Sequence, residues 1–183
     1  MTLRSLAVLA VLVTVCVPLS YGAVAADGRV PRIEVYFSPH GGCTDAIVKQ
    51  LDAARETVLV QAYTFTSAPI AKALMEAHKR GVKVQVILDK SQQTDRYSSA
   101  TFFQNVGIPT FIDESQRGIA HNKVMVIDGH VVITGSFNFT KAAEEENAEN
   151  LLVIDGKEVA EKYAKNWQKH REHSVPYKRD TKE

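Results

Sequence analysis

The chain is poor in cysteine, with only Cys16 and Cys43 among 183 residues. Cys16 lies in an N-terminal segment that we expect to be removed, so Cys43 would remain as a lone thiol and no intramolecular disulfide could form. A lone thiol could link two subunits or take part in chemistry. Because no histidine or basic residue adjoins Cys43 in the sequence, an incidental cysteine is the favoured interpretation.

The chain also lacks a strong net charge. Its 22 Lys and Arg and 21 Asp and Glu give +1 at pH 7, and loss of Arg4 with the N-terminal segment would leave equal numbers of both signs. Overall charge therefore does not indicate a nucleic-acid partner, and any positive surface must be local. A chain of this length with 45% hydrophobic residues is expected to form one globular domain with its own core.

No apolar run in the sequence reaches the length of a membrane-spanning helix. Leu6 to Val17 contains about a dozen apolar residues before Pro18, whereas a spanning helix needs roughly 20. Arg4 ahead of this run and Ala23-Val24-Ala25 after it are typical of a secretory signal peptide. We expect a signal peptide at 1–25, a folded domain at 26–173 and a flexible C-terminal tail at 174–183. The mature protein would be periplasmic or secreted, without a stable membrane anchor.

Strand and helix patterns alternate along the first half of the chain. They predict an α/β fold in which a mixed β-sheet is sandwiched between helices. Strand, helix, strand, helix, strand implies parallel pairing, with the strands buried on both faces and functional loops beyond their C-terminal ends. The predicted strands are Ile33–Phe37, Thr57–Ala62, Val82–Leu88, Thr110–Asp113 and Asn150–Ile154, and the clearest helices are 67–80 and 157–170.

A hairpin is predicted between His121 and Asn138, where the sequence is HNKVMVIDGHVVITGSFN. Asp128-Gly129 is a tight-turn signal between two runs rich in Val and Ile. With these two residues as the loop, Ile127 would face His130. Counting outward from this loop pairs Lys123 with Thr134 and His121 with Ser136. All four side chains would then lie on one face.

That face is chemically unusual, because an imidazole, an ammonium and a hydroxyl gather where apolar side chains would be expected. A nucleophile beside a fixed cation and neutral donors can hold and attack an anion. The anion indicated is a phosphate ester. Asp128 would lie in the turn, roughly 20 Å from His121 along strands that rise about 3.3 Å per residue, so we interpret it as structural.

At these residues the chain resembles the phospholipase D superfamily. The pattern is His121-x-Lys123, four residues, Asp128, six residues and Gly135-Ser136-x-Asn138. Glu149, eleven residues after Asn138, resembles the carboxylate that orients the histidine in that family. A short chain with one motif and an export signal is most similar to the bacterial single-motif secreted nucleases.

The resemblance implies a role for each motif residue. His121 would be the nucleophile that forms a phosphohistidine, with Glu149 as its Nδ1 partner. The resemblance also implies a phospholipase D-like sheet, no cofactor and no metal. Lys123, Ser136 and Asn138 would bind the non-bridging phosphate oxygens, and Asp128, Gly129 and Gly135 would belong to the structural part of the motif.

Only one such motif is present in the chain. Because the family mechanism uses two histidines, the resemblance implies a homodimer in which His121 of the partner subunit protonates the leaving oxygen. None of the remaining histidines is followed two positions later by lysine; they are His40, His78, His130, His170 and His173.

Three other groups have an ordinary explanation and a functional one. His170 and His173 could be two metal ligands on one helical face, but a polar helix end is the more ordinary interpretation. Glu144 to Glu146 is expected to be solvated. Phe137 and Phe139 are expected to pack in the core, with base stacking as the alternative.

The sequence therefore predicts an exported, metal-independent phosphodiesterase. The specific hypothesis is an endonuclease that cuts DNA with little sequence specificity, with RNA left open as a substrate. A phospholipase D or phosphatidyl-transferring enzyme is the first alternative; the mature chain shows no exposed amphipathic stretch for a lipid surface. A non-catalytic phosphate-binding module is the second, disfavoured because every catalytic residue type is present.

Overall fold

The computed structural model describes residues 30–114 and 118–179. The predicted signal peptide and residues 180–183 lie outside this part. The strands are β1 Arg32–Ser38, β2 Thr57–Ala62, β3 Lys83–Asp89, β4 Thr110–Asp113, β5 Lys123–Ile127, β6 Val131–Gly135, β7 Glu149–Asp155 and β8 Ser174–Pro176. The α-helices are α1 Cys43–Ala53, α2 Ala68–Lys79, α3 Ala100–Asn105, α4 Lys141–Glu145 and α5 Lys157–Glu172, and a short 3-10 helix spans Lys90–Gln93.

The eight strands of the described residues form one mixed sheet in the order β1-β7-β6-β5-β2-β3-β4-β8. The β2–β3 and β3–β4 pairs are parallel and the other pairs are antiparallel. β1 runs in the same direction as β2 but does not pair with it, so the predicted parallel pairing is wrong for β1. β1 is an edge strand with an exposed outer surface, since Ile33, Val35 and Phe37 are each more than half exposed.

Helices cover both faces of the sheet, as predicted. α1, α2 and α3 pack on one face over the larger core, which includes Phe65, Phe137 and Phe139. α5 packs on the other face, where Trp167 Nε1 donates a hydrogen bond to Val60 O at 2.8 Å. Phe137 and Phe139 are fully buried, so they are core residues and cannot stack on a base. None of the helices in the described residues is long and apolar enough to cross a membrane.

The polar residues of interest lie along one side of the sheet, at the ends of the strands and not beside an edge strand. The pairing directions place the ends of β1, β6, β2, β3 and β4 and the starts of β5, β7 and β8 at the same edge. We call it the site edge, defined by Ser38, Ala62, Asp89, Asp113, Lys123, Gly135, Glu149 and Ser174. This agrees with the expectation that functional loops follow the C-terminal ends of the parallel strands.

The C-terminal segment is ordered as far as Tyr177, so the expectation of a flexible tail from Ser174 is wrong for these residues. Ser174–Pro176 forms β8 and pairs with β4, where a proline is tolerated because the strand lies at an edge. Tyr177 is buried, and its hydroxyl lies 2.8 Å from Thr101 Oγ1. Backbone pairing and this buried ring anchor the segment.

Candidate active site

The hairpin forms, but its register differs from the prediction by one residue. Ile127 pairs with Val131 and Met125 with Ile133, so the predicted pairing of Ile127 with His130 is wrong. Asp128 and Gly129 both adopt positive φ, at 50° and 67°, and His130 N donates to Ile127 O at 3.1 Å. His130 stays in the loop, and its carbonyl accepts a hydrogen bond from Gly156 N on the β7 side.

The shift changes which side chains meet. Lys123 lies on the same face as Met125, toward the larger core. Thr134 follows Val132 on the opposite face. The ladder ends at Met125 and Ile133, so the predicted cross-strand pairs of Lys123 with Thr134 and of His121 with Ser136 do not form.

Ser136 reaches the site edge through a local bulge. Ser136 N and Phe137 N both donate to Asn150 O, at 3.1 and 3.3 Å, so two residues oppose one on β7. Gly135 has a φ of 147°, and a Cβ at this position would lie 2.2 Å from Asn150 O. Gly135 is therefore required for the close approach that redirects Ser136.

His121 lies two residues before the start of β5, and it is exposed. Its ring packs against Tyr63 with a centroid distance of 4.6 Å and an interplanar angle of 55°. Tyr63 N donates to Asn122 O at 2.8 Å, and the buried Asp89 accepts a hydrogen bond from Ala120 N at 2.7 Å. The backbone on both sides of His121 is thereby fixed.

Sequence reasoning assigned no role to Tyr63 or Asp89. The available signal was their position, because Tyr63 directly follows β2 and Asp89 ends β3, both at the C-terminal ends of parallel strands. Neither position belongs to the motif, so pattern alone did not distinguish them.

Lys123 is a buried cation held by the backbone carbonyl of His121. Its side chain is 6% exposed, Nζ donates to His121 O at 2.9 Å, and Nζ lies 5.1 Å from the centre of the Tyr63 ring. Burial lowers the pKa of the Lys123 ammonium below its ordinary value, and the negative charge of Glu149 opposes this effect. The result is a fixed positive charge beside an exposed imidazole.

Ser136 and Asn138 provide the neutral groups. Ser136 Oγ accepts hydrogen bonds from Asn150 N and Nδ2, at 3.1 and 3.2 Å, which leaves its own proton available to a ligand. The buried Oδ1 of Asn138 has no hydrogen-bond partner within the described residues. Asn150 was not predicted; it positions Ser136.

Glu149 begins β7 at the site edge, near Lys123. Its Oε1 accepts a hydrogen bond from Asn147 Nδ2 at 3.2 Å, and its backbone N donates to Ser38 Oγ at 3.2 Å. In the part of the chain that the structure describes, no hydrogen bond joins Glu149 to His121. The orienting role of Glu149 therefore stays a prediction, and such bonds often tighten only when substrate is bound.

Asp128 lies at the opposite end of the hairpin. Its carboxylate accepts hydrogen bonds from the backbone N–H groups of Arg55, Glu56 and Thr57, at 2.9, 2.8 and 2.9 Å. Burial alone would raise the pKa of this carboxyl, but the three donors bring the pKa below its ordinary value. Asp128 thus ties the turn to the segment between α1 and β2.

Two other candidates have structural explanations. Glu144 accepts hydrogen bonds from Thr44 N at 2.7 Å and Gly42 N at 3.2 Å, so it caps the start of α1 instead of being simply solvated. Cys43 is fully buried. Burial and the Glu144 charge raise the pKa of the Cys43 thiol to about 11. The sulfur is therefore neither an accessible bridge to a second subunit nor a ready nucleophile.

The site combines an exposed imidazole, a buried ammonium and a hydroxyl at one edge of a mixed sheet. These groups could carry out nucleophilic attack on a phosphate ester and stabilise the developing negative charge through fixed donors. The fold and the site thus define a phosphodiesterase-type enzyme.

Comparison with known proteins establishes the family. Residues 47–171 match the family model described as "Cardiolipin synthase, PLD-like domain", and the chain belongs to the phospholipase D superfamily. A phospholipase D from Rickettsia felis is 46% identical over 136 residues, which cover 74% of this chain and 68% of that protein. A mitochondrial cardiolipin hydrolase from Xenopus laevis is 33% identical over 150 residues, covering 76% and 71%.

Solved structures confirm the predicted fold. The phospholipase D family member Nuc from Salmonella typhimurium superposes with a TM-score of 0.77 at 38% identity, covering 81% of this chain and 99% of Nuc. NucT from Helicobacter pylori superposes with a TM-score of 0.74 at 27% identity, covering 81% and 100%.

Proposed function

We propose that this protein is an exported, metal-independent endonuclease that cuts DNA with little sequence specificity, with RNA left open as a second substrate. The observation that carries the proposal is the pair formed by the exposed His121 ring and the buried Lys123 ammonium, which both lie against the Tyr63 ring at the site edge. A fixed cation provides charge stabilisation that a divalent ion provides in other phosphodiesterases. The similarity to Nuc and NucT supports a nucleic-acid substrate.

The proposed reaction has two steps. A ring nitrogen of His121 attacks phosphorus, and the P–O bond to the leaving group breaks as His121 of the partner subunit gives that oxygen a proton. Water then attacks the phosphohistidine, and its proton passes to the partner's His121. The products are a phosphate monoester, an alcohol and the regenerated histidine. Lys123, Ser136 and Asn138 hold the non-bridging oxygens in both steps.

The same proposal requires a homodimer, because one chain supplies only one such histidine. We place the second copy against β1, where Ile33, Val35 and Phe37 expose an apolar stripe on an edge strand. Phe37 is paired with Asn150, whose side chain holds Ser136. The stripe therefore runs to the site edge, and a second copy packed on it would bring two half-sites together.

A lipid phosphodiester is the second candidate substrate. The names of the Rickettsia and Xenopus relatives favour it, and the structure adds a cavity of about 510 Å³ lined mainly by apolar groups. Thr66, three residues after Tyr63, borders this cavity, and Tyr97 and Phe102 extend it as exposed aromatic rings. The sequence suggested no such apolar surface, because its residues come from α2 and from the segment around α3.

Parallel assays test the proposal. Protein lacking residues 1–25 is incubated with plasmid DNA, RNA, phosphatidylcholine vesicles and cardiolipin vesicles, each with and without excess EDTA, with His121→Asn protein as the control for contaminating enzymes. We expect EDTA-resistant cleavage of the plasmid and no hydrolysis of either lipid. Lipid hydrolysis with an intact plasmid would instead establish the lipid function. Cleavage abolished by EDTA and restored by magnesium would refute the mechanism.

A further inference from the structure

A second group of titratable side chains lies on the far half of the site edge. Asp113 ends β4, and His170 and His173 lie at the end of α5 and directly after it. His170 Nδ1 is 2.7 Å from Asp113 Oδ2, and His173 Nε2 is 3.0 Å from Asp113 Oδ1. One nitrogen of each histidine and a carboxylate oxygen all lie within 4.8 Å of one another.

This cluster is separate from the proposed catalytic site. β4 and β5 are separated in the sheet by β3 and β2, and three strand spacings of about 4.8 Å place the two groups roughly 15 Å apart. The phosphodiesterase mechanism uses none of the three residues.

The backbone of Asp113 and that of His170 are held by contacts outside the cluster. Asp113 pairs with Ser174 in the β4–β8 ladder, and Ser174 Oγ donates to His170 O at 2.6 Å. The Arg171 guanidinium stacks 3.4 Å from the centre of the Phe111 ring. The Asp113 side chain is fully buried, while those of His170 and His173 are 27% and 48% exposed. The donor atoms are thus held together, and both histidine side chains are partly exposed.

This arrangement fits a transition-metal ion. Two imidazole nitrogens and a carboxylate oxygen are ordinary zinc ligands, and bonds of about 2.0–2.2 Å in tetrahedral geometry separate ligand atoms by roughly 3.3–3.5 Å. The histidine nitrogens lie 2.7 and 3.0 Å from the two different oxygens of Asp113, and one ligand atom from each residue lies within 4.8 Å of the others, so this spacing falls within the observed range. Small side-chain rotations would therefore admit the ion.

We propose that Asp113, His170 and His173 form a binding site for a divalent transition-metal ion of the zinc type. The ion fastens the end of α5 and the start of β8 to β4, and it takes no part in phosphodiester cleavage. This assignment replaces the interpretation of His170 and His173 as an ordinary polar helix end, and it does not depend on the proposed function.

Metal titration of the mature protein tests this site. The protein is first stripped with a chelator, and zinc binding is followed by calorimetry and cobalt binding by visible absorption. The parent carries His121→Asn, so that the exposed active-site imidazole does not compete. We expect one ion per chain, bound with a dissociation constant of about 10 µM or tighter, and an unfolding midpoint that rises with zinc.

Variants distinguish a metal site from a cluster that is held only by hydrogen bonds between the histidines and Asp113. His170→Ala and His173→Ala should each weaken zinc binding at least about tenfold. In His173→Gln a side-chain amide can still donate to Asp113, so its metal-free stability should stay near that of the parent while zinc affinity falls. His130→Ala removes an exposed histidine outside the cluster and should bind zinc like the parent. Absence of one-to-one binding up to about 100 µM zinc, or undiminished binding by the variants at 170 and 173, would overturn the proposal.

Discussion

The two ends of the β5–β6 hairpin differ in how their polar groups are satisfied. At the turn, the carboxylate of Asp128 accepts three backbone hydrogen bonds. At the site edge, the His121 ring is exposed, and the Ser136 hydroxyl accepts two hydrogen bonds but donates none within the described residues. Satisfied groups stabilise a fold, whereas unsatisfied groups held in place are available to a ligand. One hairpin therefore carries a structural end and a chemical end.

This comparison predicts that stability and activity can be changed separately. Substitutions at the chemical end should abolish turnover and leave the fold intact. Substitutions at the turn should weaken the fold and leave the turnover of folded molecules unchanged.

The largest effect is expected for His121→Asn. Loss of the proposed nucleophile should lower kcat at least about a thousandfold. The unfolding midpoint should hardly move, because the ring is exposed and its aromatic contact within the described residues is with Tyr63. Plasmid cleavage and thermal unfolding of the same preparation measure both. Residual activity within about tenfold of wild type would remove His121 from the nucleophile role.

Lys123→Met should separate the two properties further. Loss of the fixed cation should lower kcat/KM about a hundredfold, while stability should hold or increase because a buried charge is replaced by an apolar chain of similar size. Since burial lowers the Lys123 pKa, the unfolded chain binds more protons between the folded pKa and the ordinary value of 10.5. The free energy of unfolding contributed by Lys123 should therefore rise with pH across that window.

Urea unfolding of wild type, Lys123→Met and Lys83→Met between pH 8 and pH 10.5 measures this difference. Lys83 is exposed, so its variant should follow the wild-type pH dependence. A Lys123→Met protein that is clearly less stable than wild type at pH 8 would show that the ammonium stabilises the fold.

A third prediction is that two subunits share one active site, to which each contributes the chemical end of its hairpin. Wild-type and His121→Asn chains are denatured, mixed in equal amounts and refolded. Random pairing leaves about one quarter of the dimers with two intact histidines, so activity should be about a quarter of that of wild-type protein refolded alone. Independent sites would give half. Activity linear in the wild-type fraction would refute the shared site.

The sequence predicted which residue types lie at the chemical end better than it predicted their arrangement. The motif spacing selected the candidate residues, whose roles stay predictions, and the structure places Lys123, Gly135 and Glu149 at the site edge. The predicted hairpin register was wrong because the Asp128-Gly129 signal fits both a two-residue and a three-residue loop. A shift of one residue moves the side chains of one strand to the opposite face of the sheet. The bulge at Ser136 depends on Asn150, a residue distant in the sequence.

The regions missed altogether depend on long-range contacts. Strand β8 has no apolar alternation of its own and exists because the edge of β4 is available for pairing. Tyr63 and Asp89 matter because they contact the segment around His121. No local pattern encodes these contacts, so sequence periodicity could not reveal them.

The smallest effect on activity is expected for Asp128→Asn, at the structural end. An amide offers one oxygen to three N–H donors, so the free energy of unfolding should fall by about 2 kcal/mol at neutral pH, while kcat of the folded protein stays unchanged. The native hydrogen bonds hold the Asp128 pKa below its ordinary value of 3.8. Asp128 therefore stabilises the protein above that ordinary value, and this contribution disappears as the pH falls through the lower, folded-state pKa. The stability gap between wild type and Asp128→Asn should close on acidification, whereas a variant of the exposed Asp45 should show no such gap. A gap that is constant with pH, or a kcat that falls together with stability, would mean that the turn and the site edge do not act independently.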